Sequence, residues 1–237
     1  MGRIFEKRKH TMFARYAKMA KAFTKIGREI AIAVKQGGPN PDTNARLRAV
    51  IQNSRALNMP KTNVDAAIKR ASDKDTANYE EVIYEGYAPH GVPVLVECAT
   101  DNPTRTVASV RMHFNRGGGT LGTNGSVSFM FERKALFKVP SAGLNREEIE
   151  FELIDFGGEE FTWDDENGEL IIQTSFAEFG HMQKGLEDKK IEIKESSKVF
   201  IPTDYKKITD EQEVEVQALI DKLEEDDDVV AVYHNAQ

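Results

Sequence analysis

Arg3, Lys7, Arg8, Lys9, Arg15, Lys18, Lys21, Lys25 and Arg28 follow one another closely, and Arg46, Arg48, Arg55, Lys61, Lys69 and Arg70 continue the series. Clustered cations of this kind neutralise phosphates and release counterions, which is the chemistry of nucleic-acid binding. Residues 1–75 hold 17 Lys and Arg against 6 Asp and Glu, a net +11, while the remainder holds 15 against 33, a net −18. The overall charge of −7 conceals this division. A basic module on an acidic body holds a polyanion on one face and repels it from the rest. For any single lysine the alternative is a plain solvated face.

Other chemistry is poorly represented. His10, His90, His113, His181 and His234 have no metal-ligand spacing, and Cys98 is the sole cysteine, so neither a zinc site nor a disulfide within the chain is expected. Cys98 lies in the apolar run Val92-Pro-Val-Leu-Val-Glu-Cys98 and reads as packing. Gly117-Gly-Gly-Thr-Leu-Gly122 follows a helical pattern and precedes a strand, the reverse of a phosphate-binding loop, so it reads as chain reversal. Asp164-Asp165-Glu166 and Asp226-Asp227-Asp228 lack the spacing of a calcium loop and read as solvated acidic surface. No Walker motif and no Gly-x-Ser-x-Gly occurs. The expectation is a protein without catalytic residues, metal or cofactor. No apolar stretch approaches the ~20 residues of a membrane helix, and the charged N-terminus is not a secretory signal.

The elements that must position the cations read as three helices. Across 12–34 the residues Phe13, Tyr16, Ala20, Phe23, Ile26, Ile30 and Val34 recur at spacings of three and four, with Lys18, Lys21, Lys25, Arg28 and Lys35 opposite. Gly37-Gly-Pro-Asn-Pro41 ends that helix, and Asp42, Thr43 or Asn44 caps the next, which turns Leu47, Val50, Ile51 and Leu57 inward. A short third helix after Pro60 carries Val64, Ala67, Ile68 and Ala71. With this geometry the basic stripe projects to solvent. Replacing Lys18, Lys21, Lys25 and Arg28 by Gln should then weaken binding and leave the melting temperature nearly unchanged, whereas Phe23→Ala should cost about 3–5 kcal/mol if the ring is buried.

Residues 72–78 read as a linker. Beyond it, 92–99 and 126–131 read as strands flanking a helix that starts at Asp101-Asn102-Pro103. Residues 136–139, 146–156, 160–163, 170–174, 177–189 and 191–201 give strand, helix, two strands, helix and strand, the ferredoxin-like order. A final helix at 210–225 and strand at 229–233 cannot form a core alone, so they are assigned to the middle unit. The fold class is therefore α+β: a three-helix bundle (1–77), a middle α+β domain (78–133 with 205–237), and an inserted ferredoxin-like α+β domain (134–204). The middle domain is also expected to be ferredoxin-like.

These residues together resemble the YebC/PmpR family over essentially the whole chain. The resemblance rests on Phe23-Thr-Lys-Ile-Gly-Arg-Glu-Ile30, Asn44-Ala-Arg-Leu-Arg48, Asn58-Met-Pro-Lys61, Ala67-Ile-Lys-Arg70 and Tyr84-Glu-Gly-Tyr87. It extends through Val94-Leu-Val-Glu-Cys98, Thr100-Asp-Asn102, Arg105-Thr106, Gly122-Thr-Asn-Gly-Ser126 and Phe131-Glu-Arg133. Bacterial members are described as probable transcriptional regulators, and mitochondrial relatives as translational activators of cytochrome c oxidase. The resemblance implies a three-domain fold and a bacterial cytoplasmic regulator. The chain departs from the family in lacking its early tryptophan, and in having Ala88 and His90 where glycines are usual. Because the matching block starts near residue 1, the expectation is a chain without a transit peptide. The expected partner is nucleic acid, either promoter DNA or ribosomal RNA within the ribosome, engaged by a monomer through Arg8, Lys9, Arg15, Lys18, Lys21, Lys25, Arg28, Arg46, Arg48, Lys61, Lys69 and Arg70. The absence of an obvious helix-turn-helix leans toward RNA.

Overall fold

The computed structural model describes residues 3–73 and 78–237, with side chains from Met19 onward. Three helices come first: α1 (Arg3–Gly37), α2 (Ala45–Ala56) and α3 (Lys61–Ser72). Ile26, Ile30, Ala33 and Val34 of α1 meet Leu47 and Val50 of α2 and Val64 and Ala71 of α3 in one core. Of the three candidate caps, Asn44 is the one used: its Oδ1 accepts from the Leu47 amide at 3.0 Å. Its Nδ2 donates to Ala33 O and Gly38 O, both at 2.8 Å, so one buried side chain fastens the end of α1 to the start of α2. Phe23 is only half-buried, on a groove floored by Gly27, Ala31, Ala67 and Ala71. Phe13 and Tyr16 lie outside the described side chains.

Two antiparallel four-stranded sheets follow, making the chain mixed α+β. The first contains β1 (Glu80–Ala88), β2 (Val92–Thr100), β3 (Thr120–Leu121) and β8 (Val229–His234), in the order β3-β1-β2-β8. Helices α4 (Pro103–Arg116) and α7 (Asp210–Glu224) cover one face, where Val110, Phe114, Leu219 and Leu223 pack on Val94, Val96, Cys98 and Val229. On the other face Leu95 meets Val127 and Phe131. Central β2 is therefore buried on both sides, as its apolar run, interrupted only by Glu97, suggests. Cys98 is buried here, and burial pushes its thiol pKa up.

Strand β1 escaped the sequence reading because its alternation is broken by Glu85, a carboxylate pointing inward. Glu85 accepts from the amides of Gly125, Val127 and Ser128 at 2.7, 2.8 and 2.8 Å. Burial raises its pKa, but these amides more than offset that and hold it below the usual value. The same bonds correct the expected strand at 126–131. Amides that a ladder would use serve Glu85 instead, so Ser128–Met130 is a 3-10 turn and the strand starts at Phe131.

The second sheet is built from β4 (Phe131–Pro140), β5 (Gly158–Asp164), β6 (Glu169–Ser175) and β7 (Glu195–Pro202), in the order β5-β6-β4-β7. Helices α5 (Arg146–Ile154) and α6 (Phe179–Asp188) complete the βαββαβ sequence, with Leu153, Met182 and Leu186 packed on Phe137, Leu170 and Ile172. The first sheet is reached differently. It opens on the β1–β2 hairpin, and its last strand arrives from the C-terminus to pair with β2.

Candidate nucleic-acid interface

The sequence places twelve cations in the interface, and the fold distributes them unequally. Lys61, Lys69 and Arg70 are exposed on α3. Arg8, Lys9, Arg15 and Lys18 stand on α1, but their side chains lie outside the described residues. Lys21, Lys25, Arg28, Arg46 and Arg48 make contacts within the chain. Arg46 pairs with Glu81 and also reaches Gln36 Oε1 at 2.6 Å. Arg48 Nε is 3.0 Å from Glu187, and its Nη1 donates to Pro41 O at 2.7 Å.

The expectation that Lys21, Lys25 and Arg28 all project to solvent is corrected. They face the acidic run 224–228, between α7 and β8. Lys21 Nζ donates to Glu225 O at 2.7 Å and Lys25 Nζ to Val230 O at 3.5 Å. Burial lowers the Lys25 pKa, with Glu224 and Asp227 pulling the other way. Arg28 has a side chain only 14% exposed; it lies 3.0 Å from Asp228 Oδ1, also donates to Asp227 O, and stands over the Tyr79 ring at 5.6 Å. Helical periodicity puts these cations opposite Ile26 and Ile30, but a second body of the protein occupies that side.

Asp228 was read as solvated surface, yet it is buried at the centre of a hydrogen-bond network. Thr106 Oγ1 donates to its Oδ2 at 2.7 Å, Arg105 at 2.9 Å and Thr100 Oγ1 at 3.3 Å. Burial alone would raise its pKa; Arg105, Thr106 and Arg28 hold it below the usual value. Asn102 caps α4 through the Arg105 amide at 3.0 Å. Thus Thr100-Asp-Asn102 and Arg105-Thr106, singled out in the sequence without a role, form the socket for a carboxylate 120-odd residues away. No local signal in the sequence could have joined them. The Asp164 cluster stays in its turn, where Asp164 accepts from the Asn167 amide at 3.0 Å.

A second concentration of charge lines a cavity of about 570 Å³ where α1, α2 and both sheets meet. Glu29, Glu81 and Glu97 share it with Arg46 and Lys198. Arg46 is committed to Glu81, and Lys198 lies 3.7 Å from the same carboxylate. Burial, followed by repulsion from Glu97, pushes the Glu29 pKa up to about 7. Among the described residues there is no cluster of His, Cys, Asp and Glu able to hold a metal, and no helix is long and apolar enough to cross a membrane.

The combination of a basic helical N-terminal region with two antiparallel α+β sheets defines a class to which known proteins can be compared. The TACO1/YebC N-terminal domain profile matches residues 3–74, and the profile of the TACO1/YebC second and third domain matches residues 79–236. A probable transcriptional regulatory protein of Flavobacterium psychrophilum is 55% identical over 237 residues, covering 100% of both chains. A protein of the same description from Anaeromyxobacter dehalogenans is 53% identical over 238 residues, covering 99% of each. The crystal structure of a conserved hypothetical protein from Aquifex aeolicus superposes with a TM-score of 0.81 at 38% identity, covering 93% of this chain and 91% of that one. The chain belongs to the TACO1/YebC family.

Proposed function

We propose that this chain is a nucleic-acid-binding regulator of gene expression, and in the first instance a DNA-binding regulator of transcription in the bacterial cytoplasm. The observation that carries the reading is the separation of charge, +11 in residues 1–75 against −18 in the rest. Exposed Lys61, Lys69 and Arg70 on α3 supply cations to phosphates, together with the N-terminal series Arg8, Lys9, Arg15 and Lys18. The acidic sheets repel the same polyanion and so orient the protein on it. The names of the bacterial relatives support a transcriptional role. The protein acts by binding, as a monomer without cofactor, and not as an enzyme.

A second reading is a ribosomal-RNA partner and a role in translation. It is favoured by the way α2 and α3 pack chiefly on α1 instead of on each other. A helix-turn-helix needs its two helices braced together so that the second enters a major groove. A promoter mobility-shift assay and a ribosome co-sedimentation assay on one preparation decide between the targets. A shift with promoter DNA and no co-sedimentation supports the first reading; the converse supports the second; binding to neither removes both.

A further inference from the structure

We propose that the acidic run Glu224-Glu225-Asp226-Asp227-Asp228 is an internal substitute for a nucleic-acid backbone, docked on α1 and displaced when the true polyanion binds. The proposal rests on the nucleic-acid reading above. Lys21 donates to the Glu225 carbonyl at 2.7 Å, at the C-terminal end of α7, where the helix dipole adds negative charge. One turn further along α1, Lys25 donates to Val230 O at 3.5 Å with Glu224 and Asp227 nearby. Two lysines at helical spacing thus meet a row of oxygens and carboxylates, as they would meet successive phosphates.

The contact is graded in strength along α1. Lys21, Glu224, Glu225 and Asp227 are exposed, and exposed charge contacts hold weakly. Arg28 and Asp228, with side chains 14% and 8% exposed, are locked into the Thr100–Arg105–Thr106 network. Lys25 is half-buried, but its hydrogen bond to Val230 O is long at 3.5 Å, so Arg28 stays as the pivot while Lys21 and Lys25 are released. In the docked state a phosphate approaching Lys21 meets the acidic side chains of Glu225, Asp226 and Asp227, which line the same cleft and repel it within the ~8 Å over which charge acts at physiological salt. In the released state both lysines join the binding face.

The test uses the full chain and two fluorescent probes of about 20 nucleotides, a uridine RNA oligomer and a random-sequence DNA duplex, each offering more phosphates than the exposed cations can neutralise, followed by anisotropy across a salt series. The variant Glu224→Gln, Glu225→Gln, Asp227→Asn should bind about tenfold more tightly, with a log K against log salt slope steeper by roughly one to two. A matched variant, Glu147→Gln, Glu148→Gln, Glu166→Gln, neutralises exposed acids on the second sheet's side and should gain much less. Equal gains in both variants, or no gain in the first while the wild type binds, overturn the proposal and leave the nucleic-acid reading standing. If neither wild type nor variant binds either probe, the nucleic-acid reading falls and takes the proposal with it. Bridging Lys21→Cys to Glu225→Cys with a bismaleimide should weaken binding about tenfold relative to the same protein unbridged. Buried Cys98 does not compete for the reagent. Unchanged binding by the bridged protein also overturns the proposal.

Discussion

Glu29 carries the clearest proton linkage in the chain. Its carboxyl has an ordinary value of 4.5 when the chain is unfolded and is raised to about 7 in the fold. Between these values the folded state holds a proton that the unfolded state releases, so stability falls as pH rises from 4.5 to 7. Because Glu29 is half-buried, the effect is set at roughly 2 kcal/mol, below the full linkage value. Glu29→Gln should stabilise the protein by about that amount at pH 8 and flatten its pH dependence, as read by urea unfolding at several pH values. Arg28 behaves oppositely to an exposed cation. Removing one partner of a buried pair strands the other, so Arg28→Met should cost about 2–4 kcal/mol. An unchanged melting temperature would restore the reading of Arg28 as a solvated cation. Phe23→Ala should cost only about 1–2 kcal/mol, less than a buried ring, since Phe23 stands on an open groove.

Among the elements, the α1–α2 corner is fastened from inside by the buried Asn44 side chain, with Arg46 and Arg48 bonding across its exposed side. Asn44→Ala removes a cap and two bonds to Ala33 O and Gly38 O, and should destabilise the helical region by about 2–3 kcal/mol. Asn44→Asp keeps the cap but loses both donors, so it should recover only part of that loss in thermal melts. In the β1–β3 pairing, a Cβ at Gly86 would lie 2.7 Å from Thr120 O and 2.8 Å from the Phe114 ring. Gly86→Ala must therefore separate β1 from β3 or displace Phe114. Hydrogen exchange should show faster opening at Tyr87 and Thr120 than in the wild type, where these residues pair.

Over the full chain, charge divides the sequence into a basic part, +11 in residues 1–75, and an acidic part, −18 in the rest. A chain beginning near Asn78 should lose nucleic-acid binding while keeping both sheets. It also loses Arg28 from the Asp228 socket, so its melting temperature should fall. Retained affinity would move the interface off the helical region. For the full chain, neutralising about five to seven phosphates predicts a log K against log salt slope of roughly −5 to −6 on duplex DNA. This lies at the shallow end of what the charge count alone suggests, because Arg28, Arg46 and Arg48 are engaged within the chain. A slope near zero would point to a protein or small-molecule partner instead.

The sequence by itself determined the features that depend on neighbours along the chain. Periodicity marked the three helices, the βαββαβ order of the second sheet and the buried run of β2; turn chemistry narrowed the α2 cap to Asp42, Thr43 or Asn44 and marked the entry to α4 at 101–103, and the fold selects Asn44 and Asn102. Charge blocks marked a basic first third on an acidic remainder. Only the tertiary structure decided which cations remain exposed. Periodicity identifies the side of α1 turned away from the bundle core, but not whether another body stands there, and the acidic run after α7 does. Likewise, Asp228 looked like a surface acid and Glu85 had no assigned role, because burial of a carboxylate depends on donors brought from distant segments. For Glu85 these are amides about 40 residues away, and for Asp228 hydroxyls and guanidinia over 120 residues away. Such partners satisfy a buried charge only after the chain has folded back on itself, so nothing in the local sequence announces them.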